Sequence, residues 1–235
     1  MQTKIPEQRD FISKINKIKK IIDAVGKEYH DNPANILTES DLKCLLYSKL
    51  ISSPKFKKAE LTADGEIKGV CVHTEAPWLD EEGHLAIRPD MCILQMDHLS
   101  IINFERYVNV PKNRDFPVRR RDLAKQFSFW GKSIIFELKF CRYINGLTRS
   151  FVEGIRKDYE KIEKLYEFQK SRGYLDDVYC FFVVFNKTDR KDPSFDKLVD
   201  EIAKGNYRKH LCIVYKTGNV VNPKKRGAFA QHTGL

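Results

Sequence analysis

The chain has no run of eighteen apolar residues, so no transmembrane helix is expected. Its first residues, Met1-Gln2-Thr3-Lys4-Ile5-Pro6, lack the apolar segment of a secretory signal, and none is expected. Six cysteines occur, but no CxxC or CxxH pair spaces them for zinc, and most lie inside apolar runs such as Tyr179-Cys180-Phe181-Phe182. They read as small buried thiols of a reduced, cytoplasmic protein. No P-loop, GxSxG, HExxH or GxGxxG motif is present, which removes the commonest nucleotide-binding, serine-hydrolase and zinc-protease readings. Acidic residues are absent from Ala203 to the end, where seven Lys/Arg occur. No internal repeat or low-complexity tract is evident.

What is present is an ordinary globular composition with uneven charge. The 235 residues suit one large domain or a core with appendages. Of the net charge of +10, residues 112–132 carry +5 and residues 203–235 carry +7, which leaves about −2 for the remainder. Localised positive charge points to a polyanion, nucleic acid before membrane. The basic stretch holds Arg119, Arg120, Arg121 and Lys125, the candidate phosphate contacts, beside Phe127, Phe129 and Trp130.

Residues 7–29 predict an amphipathic helix, with Phe11, Ile15, Ile18, Ile22 and Val25 as its apolar stripe. The stripe must cover one face of a sheet or pair with a second copy, so a homodimer through residues 7–29 is one of two expectations. A second helix starts near Thr38, an N-cap with Asp41 three residues on. Strand patterns follow at Glu66–His73, His84–Gln95, Leu99–Phe104 and Ser133–Cys141. After these come a helix over 149–171, a strand Val178–Phe185, a helix Phe195–Ala203 and a strand His210–Tyr215. This order predicts an α/β architecture, a central mixed sheet flanked by helices, with an N-terminal helix. The divisions are 1–34 for that helix, 35–216 for the core with an insertion at about 96–132, and 217–235 for a basic flexible tail.

Two charged interruptions stand out. Ser133–Cys141 is a buried-strand run except for Glu137 and Lys139, which period two places on one face. Charges there cost several kcal/mol unless they are paired or bind an ion, roughly in line with other buried charges. His84–Leu94 is apolar apart from Arg88, Pro89 and Asp90, and the proline marks an end or bulge of that strand. Carboxylates on neighbouring strands make a hard-oxygen site suited to Mg²⁺, and a lysine beside it can hold and help deprotonate a water.

Pro89-Asp90 followed by Glu137-Leu138-Lys139 resembles the signature of the PD-(D/E)XK, or restriction-endonuclease-like, nucleases. Other acid-x-lysine triplets, Asp41-Leu42-Lys43, Glu66-Ile67-Lys68 and Asp189-Arg190-Lys191, do not lie deep in an apolar strand after the chain's single Pro-Asp. The resemblance covers roughly residues 35–215. It implies that Asp90, Glu137 and the Leu138 carbonyl bind Mg²⁺, with Mn²⁺ as a substitute, and that Lys139 is catalytic. It also implies that Glu39, near the start of the second helix, joins them. The implied activity is a metal-dependent DNA endonuclease of restriction or defence type. Junction resolvases and repair nucleases of the same fold are the nearest alternatives, then a non-catalytic nucleic-acid-binding module or a partner-binding subunit docking through 7–29. The 47 positions between Asp90 and Glu137 require the insertion at 96–132. His84, Arg88 and Lys161 are further candidates for the rim of the site.

Overall fold

The structure, a computed structural model, describes residues 4–79, 85–101, 127–171 and 173–220. Its core is a five-stranded mixed sheet. The principal elements are α1 (Lys4–Asp31), α2 (Glu39–Ser52), β1 (Val72–Thr74), β2 (Met91–Leu94) and β3 (Ser133–Cys141), then α3 (Arg149–Ser171), β4 (Val178–Asn186), α4 (Pro193–Lys204) and β5 (Leu211–Thr217). The spatial order is β5-β4-β3-β2-β1. Strands β3, β4 and β5 run parallel, whereas β2 is antiparallel to β3 and β1 to β2. No helix among the described residues is long and apolar enough to cross a membrane.

The two central strands carry apolar residues because both faces of the sheet are covered. Phe140 and Lys139 are consecutive on β3 and so point to opposite faces. Tyr29 of α1 meets Phe140 and Phe185, with ring centroids 6.0 and 5.3 Å apart. Asp158 of α3 meets Lys139 at 2.9 Å. Helices α1 and α3 therefore lie on opposite faces. Helix α2 packs beside α1, tied at its surface by Lys49 and Glu28 at 3.0 Å.

Helix α1 answers the question its stripe posed. Phe11, Ile15, Ile18, Ile22 and Val25 are all buried in the protein's own core. That leaves no large apolar patch on 7–29 for a second copy, so the ground for a homodimer through this helix falls away. Helix α2 begins as its sequence predicts: Thr38 Oγ1 accepts the Asp41 N–H at 3.1 Å, and Asp41 Oδ2 accepts the Thr38 N–H at 2.9 Å.

The meander differs from expectation in one instructive way. The stretch His84–Gln95 is not one strand. Leu85–Ile87 pairs with Trp78–Leu79, and only Met91–Leu94 joins the central sheet. Pro89 lies between them, where a missing N–H and a fixed φ end the ladder. Glu66–His73 is likewise divided: Lys68–Gly69 pairs with Glu60–Leu61, and Val72–Thr74 forms β1. The long connection between β2 and β3 leaves and returns through a short antiparallel stem, Leu99↔Phe129 and Ser100↔Ser128. That stem lets two strands distant in sequence lie side by side. Beyond β5, Gly218 is still anchored, its N–H donating to the Asn186 carbonyl at 2.8 Å.

Candidate active site

The site forms where β2 stops and β3 continues. Pairing between them ends at Met91↔Phe136. The Asp90 N–H makes one more ladder bond, to the Phe136 carbonyl at 3.0 Å. Main-chain groups alternate in direction along a strand, so the N–H groups of Leu138 and Phe140 face the same side as the Phe136 carbonyl. No strand follows there to accept them. Two side chains do so instead: Asp90 Oδ2 accepts from Leu138 at 2.8 Å, and Glu39 Oε2 accepts from Phe140 at 3.3 Å. The Leu138 carbonyl leaves the strand on this same side.

Glu137 and Lys139 project from the face covered by α3. Lys139 Nζ lies 2.7 Å from Glu137 Oε1 and 2.9 Å from Asp158 Oδ2, and all three side chains are mostly buried, at 18, 14 and 21 % exposed. Lys161 reaches Asp158 at 2.7 Å from the solvent side. At the other border, Lys43 pairs with Glu75 at 2.7 Å, and the Glu75 N–H donates to the Asp90 carbonyl at 3.2 Å. Glu75 has φ 54, the one positive value among the described non-glycine residues. That conformation is held by its two anchors and sits directly against Asp90.

Burial pushes the Glu137 carboxyl up to about 6; Lys139 offsets part of this, and Asp90 and Asp158 add to it. Glu39 is raised in the same way, by burial first and by Asp90 and Asp158, against the pull of Lys139. Burial pulls the Lys139 ammonium down, but Glu137 and Asp158 outweigh it and hold it above its ordinary range. Asp158 is raised by burial yet ends below the usual carboxylate range because both Lys161 and Lys139 bond to it. Lys139 is therefore a cation in this arrangement. It can offer positive charge to a neighbouring anion from between its two carboxylate partners.

Two carboxylates, Glu137 and Asp158, pair with Lys139, and Glu39 and Asp90 lie near enough to interact with them, while burial is the main reason Glu39 and Glu137 are raised. The donor set is all oxygen, the chemistry a hard divalent cation takes. Among the described residues no three His, Cys, Asp or Glu side chains are gathered closely enough to hold a metal ion. The Glu137 carboxylate is turned to Lys139. Metal binding would exchange that ion pair for coordination.

The structure thus brings Glu39, Asp90, Glu137, Leu138 and Lys139 together. Arg119, Arg120, Arg121, Lys125 and His84 lie outside the described residues. Arg88 is exposed, and Lys161 reaches the site only through Asp158. Asp158, Glu75 and Lys43 were not anticipated. Asp158 did leave a signal: it falls three residues after Ile155 and four before Ile162, inside the apolar stripe of α3. The chain matches no family model, no characterised protein and no solved structure, so the site stands on its own geometry.

Proposed function

We propose that this protein is a metal-dependent DNA endonuclease of the PD-(D/E)XK kind. One observation carries the reading. The carboxylate after Pro89 accepts a hydrogen bond from the middle residue of Glu137-Leu138-Lys139, although 48 positions separate Asp90 from Leu138. The motif therefore closes in space as well as in sequence, with Glu39 one strand step further along. The succession of α2, the antiparallel meander β1-β2-β3, α3 and the parallel strand β4 supports the same reading, since this family's core has that order.

In this reading Asp90, Glu137 and the Leu138 carbonyl hold Mg²⁺ or Mn²⁺, and Glu39 stands beside them. The ion would polarise a phosphoryl oxygen and lower the pKa of its water. Lys139 offers positive charge to the phosphate or to the attacking water, and Asp158 stays paired with it when Glu137 turns to the metal. Asp158 positions Lys139 and, through Lys161, links it to the solvent edge. The excess of Lys/Arg in residues 112–132 and 203–235 supports an electrostatic attraction for a polyanion.

One observation favours a second reading, a non-catalytic nucleic-acid-binding module: Lys139 already neutralises Glu137, and no metal-ready group of acids is assembled among the described residues. Incubation with supercoiled plasmid separates the two. The nuclease reading expects nicking or linearisation with Mg²⁺, none with EDTA, and loss of about a hundredfold or more in Glu137→Gln and in Asp90→Asn. It also expects millimolar Mg²⁺ or Mn²⁺ to raise the melting temperature of wild type and not of Glu137→Gln. Plasmid, single strand and bulged duplex all left intact by folded wild type in both metals sink it.

A further inference from the structure

A cavity of about 490 Å³ opens beside Lys139, between the end of β3, the turn at 142–148 and the first two turns of α3. Its lining includes Lys139, Tyr143, Asn145, Ser150, Phe151 and Gly154. Lys139 thus belongs both to the carboxylate cluster and to this cavity.

Two features mark it as a place built to receive something. The first is Gly154. A glycine inside a helix weakens it, and glycines are kept there where something must approach closely. A Cβ added at Gly154 would meet no atom within 4 Å, so the fold itself does not demand glycine there. The helix surface at Gly154 is therefore open to the cavity. The second is Tyr143, half exposed at 50 % on a turn that cannot move freely. The Gly146 N–H closes that turn on the Tyr143 carbonyl at 2.9 Å, and the Leu147 N–H ties it to the Arg190 carbonyl at 3.1 Å. Gly146 has φ +77, and a Cβ on it would lie 1.9 Å from the Arg190 carbonyl oxygen, so the turn is pressed against the 186–190 loop. A half-exposed aromatic ring on a hydrogen-bonded turn offers a face on which a base can stack.

We infer that this cavity seats one unstacked nucleobase of the strand that is cut, next to the phosphate held at Lys139; the inference rests on the nuclease reading above. A base is flat, so Tyr143 and Phe151 offer it faces, and Asn145 and Ser150 offer donors and acceptors to its edge. The volume lies in the range of small-molecule sites, and a base inside a paired stack cannot enter it. The substrate class that follows is DNA with an unpaired nucleotide at the cut: a single strand, a flap or a bulge, rather than continuous duplex.

The test is fluorescence anisotropy without added metal, with a labelled single-stranded oligonucleotide, the same sequence as blunt duplex, and a duplex with a one-base bulge. Wild type is expected to bind the single strand and the bulge about tenfold more tightly than the blunt duplex. Tyr143→Ala and Gly154→Leu should each remove that preference and leave duplex affinity unchanged, while Gly154→Ala, which fills little of the cavity, retains it. Circular dichroism melting checks that each variant is folded. Equal wild-type affinity for all three oligonucleotides, or a folded Gly154→Leu protein that keeps the preference, overturns the inference. Failure of the nuclease reading shows separately, as absence of metal-dependent cleavage by wild type on every substrate.

Discussion

The two halves of β3 share a backbone, a neighbour and a sequence position in the same apolar run, yet only one of them carries charge. From Ser133 to Phe136 the strand is hydrogen-bonded to β2 on one side and β4 on the other, and every residue is buried. From Glu137 to Cys141 the β4 side is unchanged, but β2 has ended. There the main chain bonds to the carboxylates of Asp90 and Glu39 instead. Ending one strand inside a sheet leaves main-chain donors that must be satisfied, and here two acids from different elements satisfy them. The same break brings those acids beside Glu137 and Lys139. A structural need and a chemical arrangement share one cause, the proline before Asp90.

The comparison is sharpest if each half is damaged separately. Phe136 stacks on Phe181 with centroids 5.5 Å apart and is fully buried. Phe136→Ala should cost about 4 kcal/mol of stability, measured by urea unfolding, because it leaves a cavity on a covered face of the sheet. The carboxylates should stay in place, so under the proposed nuclease function cleavage per folded molecule should change far less than in Glu137→Gln. A Phe136→Ala protein that is stable but inactive would break the division between the two halves.

Lys139→Met tests the charged half. It strands Glu137 without a cation and leaves Asp158 with Lys161 alone, and loss of one partner from a mostly buried pair should cost about 3 kcal/mol near neutral pH. Adding Glu137→Gln to it should recover part of that loss, since one uncompensated charge is gone. If the double variant is no more stable than the single one, the Lys139–Glu137 pair is not what holds this end together.

Next in size is a pH effect with a definite sign. The folded-state pKa of Glu137 is raised, to about 6, so the folded protein binds this proton more tightly than the unfolded chain does. Its contribution to stability is fully present below the unfolded carboxyl range and is lost as pH rises through about 6. The change should be about 2 kcal/mol at most. Comparing unfolding of wild type and Glu137→Gln from pH 4 to pH 7 isolates it, because other carboxylates titrate in both. Wild type that loses stability relative to Glu137→Gln as pH falls from 7 to 4 would have the wrong sign.

The legibility of the molecule in its sequence follows the same division. Strand β3 was readable because eight consecutive positions, Ile134 to Cys141, are apolar or belong to the motif. Helices α1 to α4 were readable from stripes and caps. The break of His84–Gln95 was half readable: Pro89 announced an irregularity, but not that Leu85–Ile87 would pair outside the central sheet. The approach of Asp90 to Leu138 followed from the motif, whereas its dependence on the Leu99–Phe129 stem did not, since two-residue strands carry no period. Asp158 was overlooked because a lone acid on a charge-rich helix resembles its solvated neighbours until its place in the apolar stripe is noticed. Glu75 had no local signal at all; its positive φ arises from tertiary contacts.

The smallest effect tests how Glu39 is placed. Glu39 is the first residue of α2, immediately after the Thr38 cap. The capping box satisfies end donors and fixes the direction of the first turn, from which Glu39 reaches the Phe140 N–H. Thr38→Ala should cost about 1 kcal/mol of stability. That loss is small enough to leave the protein folded, so any change in cleavage reports the freedom given to Glu39 rather than unfolding. The expected outcome is a modest fall in cleavage, with Thr38→Ser near wild type and Glu39→Gln showing a larger fall. Equal cleavage by Thr38→Ala and wild type, together with a marked loss in Glu39→Gln, would mean that the contact with Phe140 alone holds the carboxylate. Full activity in Glu39→Gln would instead make Glu39 a cap for the interrupted strand and nothing more, and would confine the chemistry to Asp90, Glu137 and Lys139.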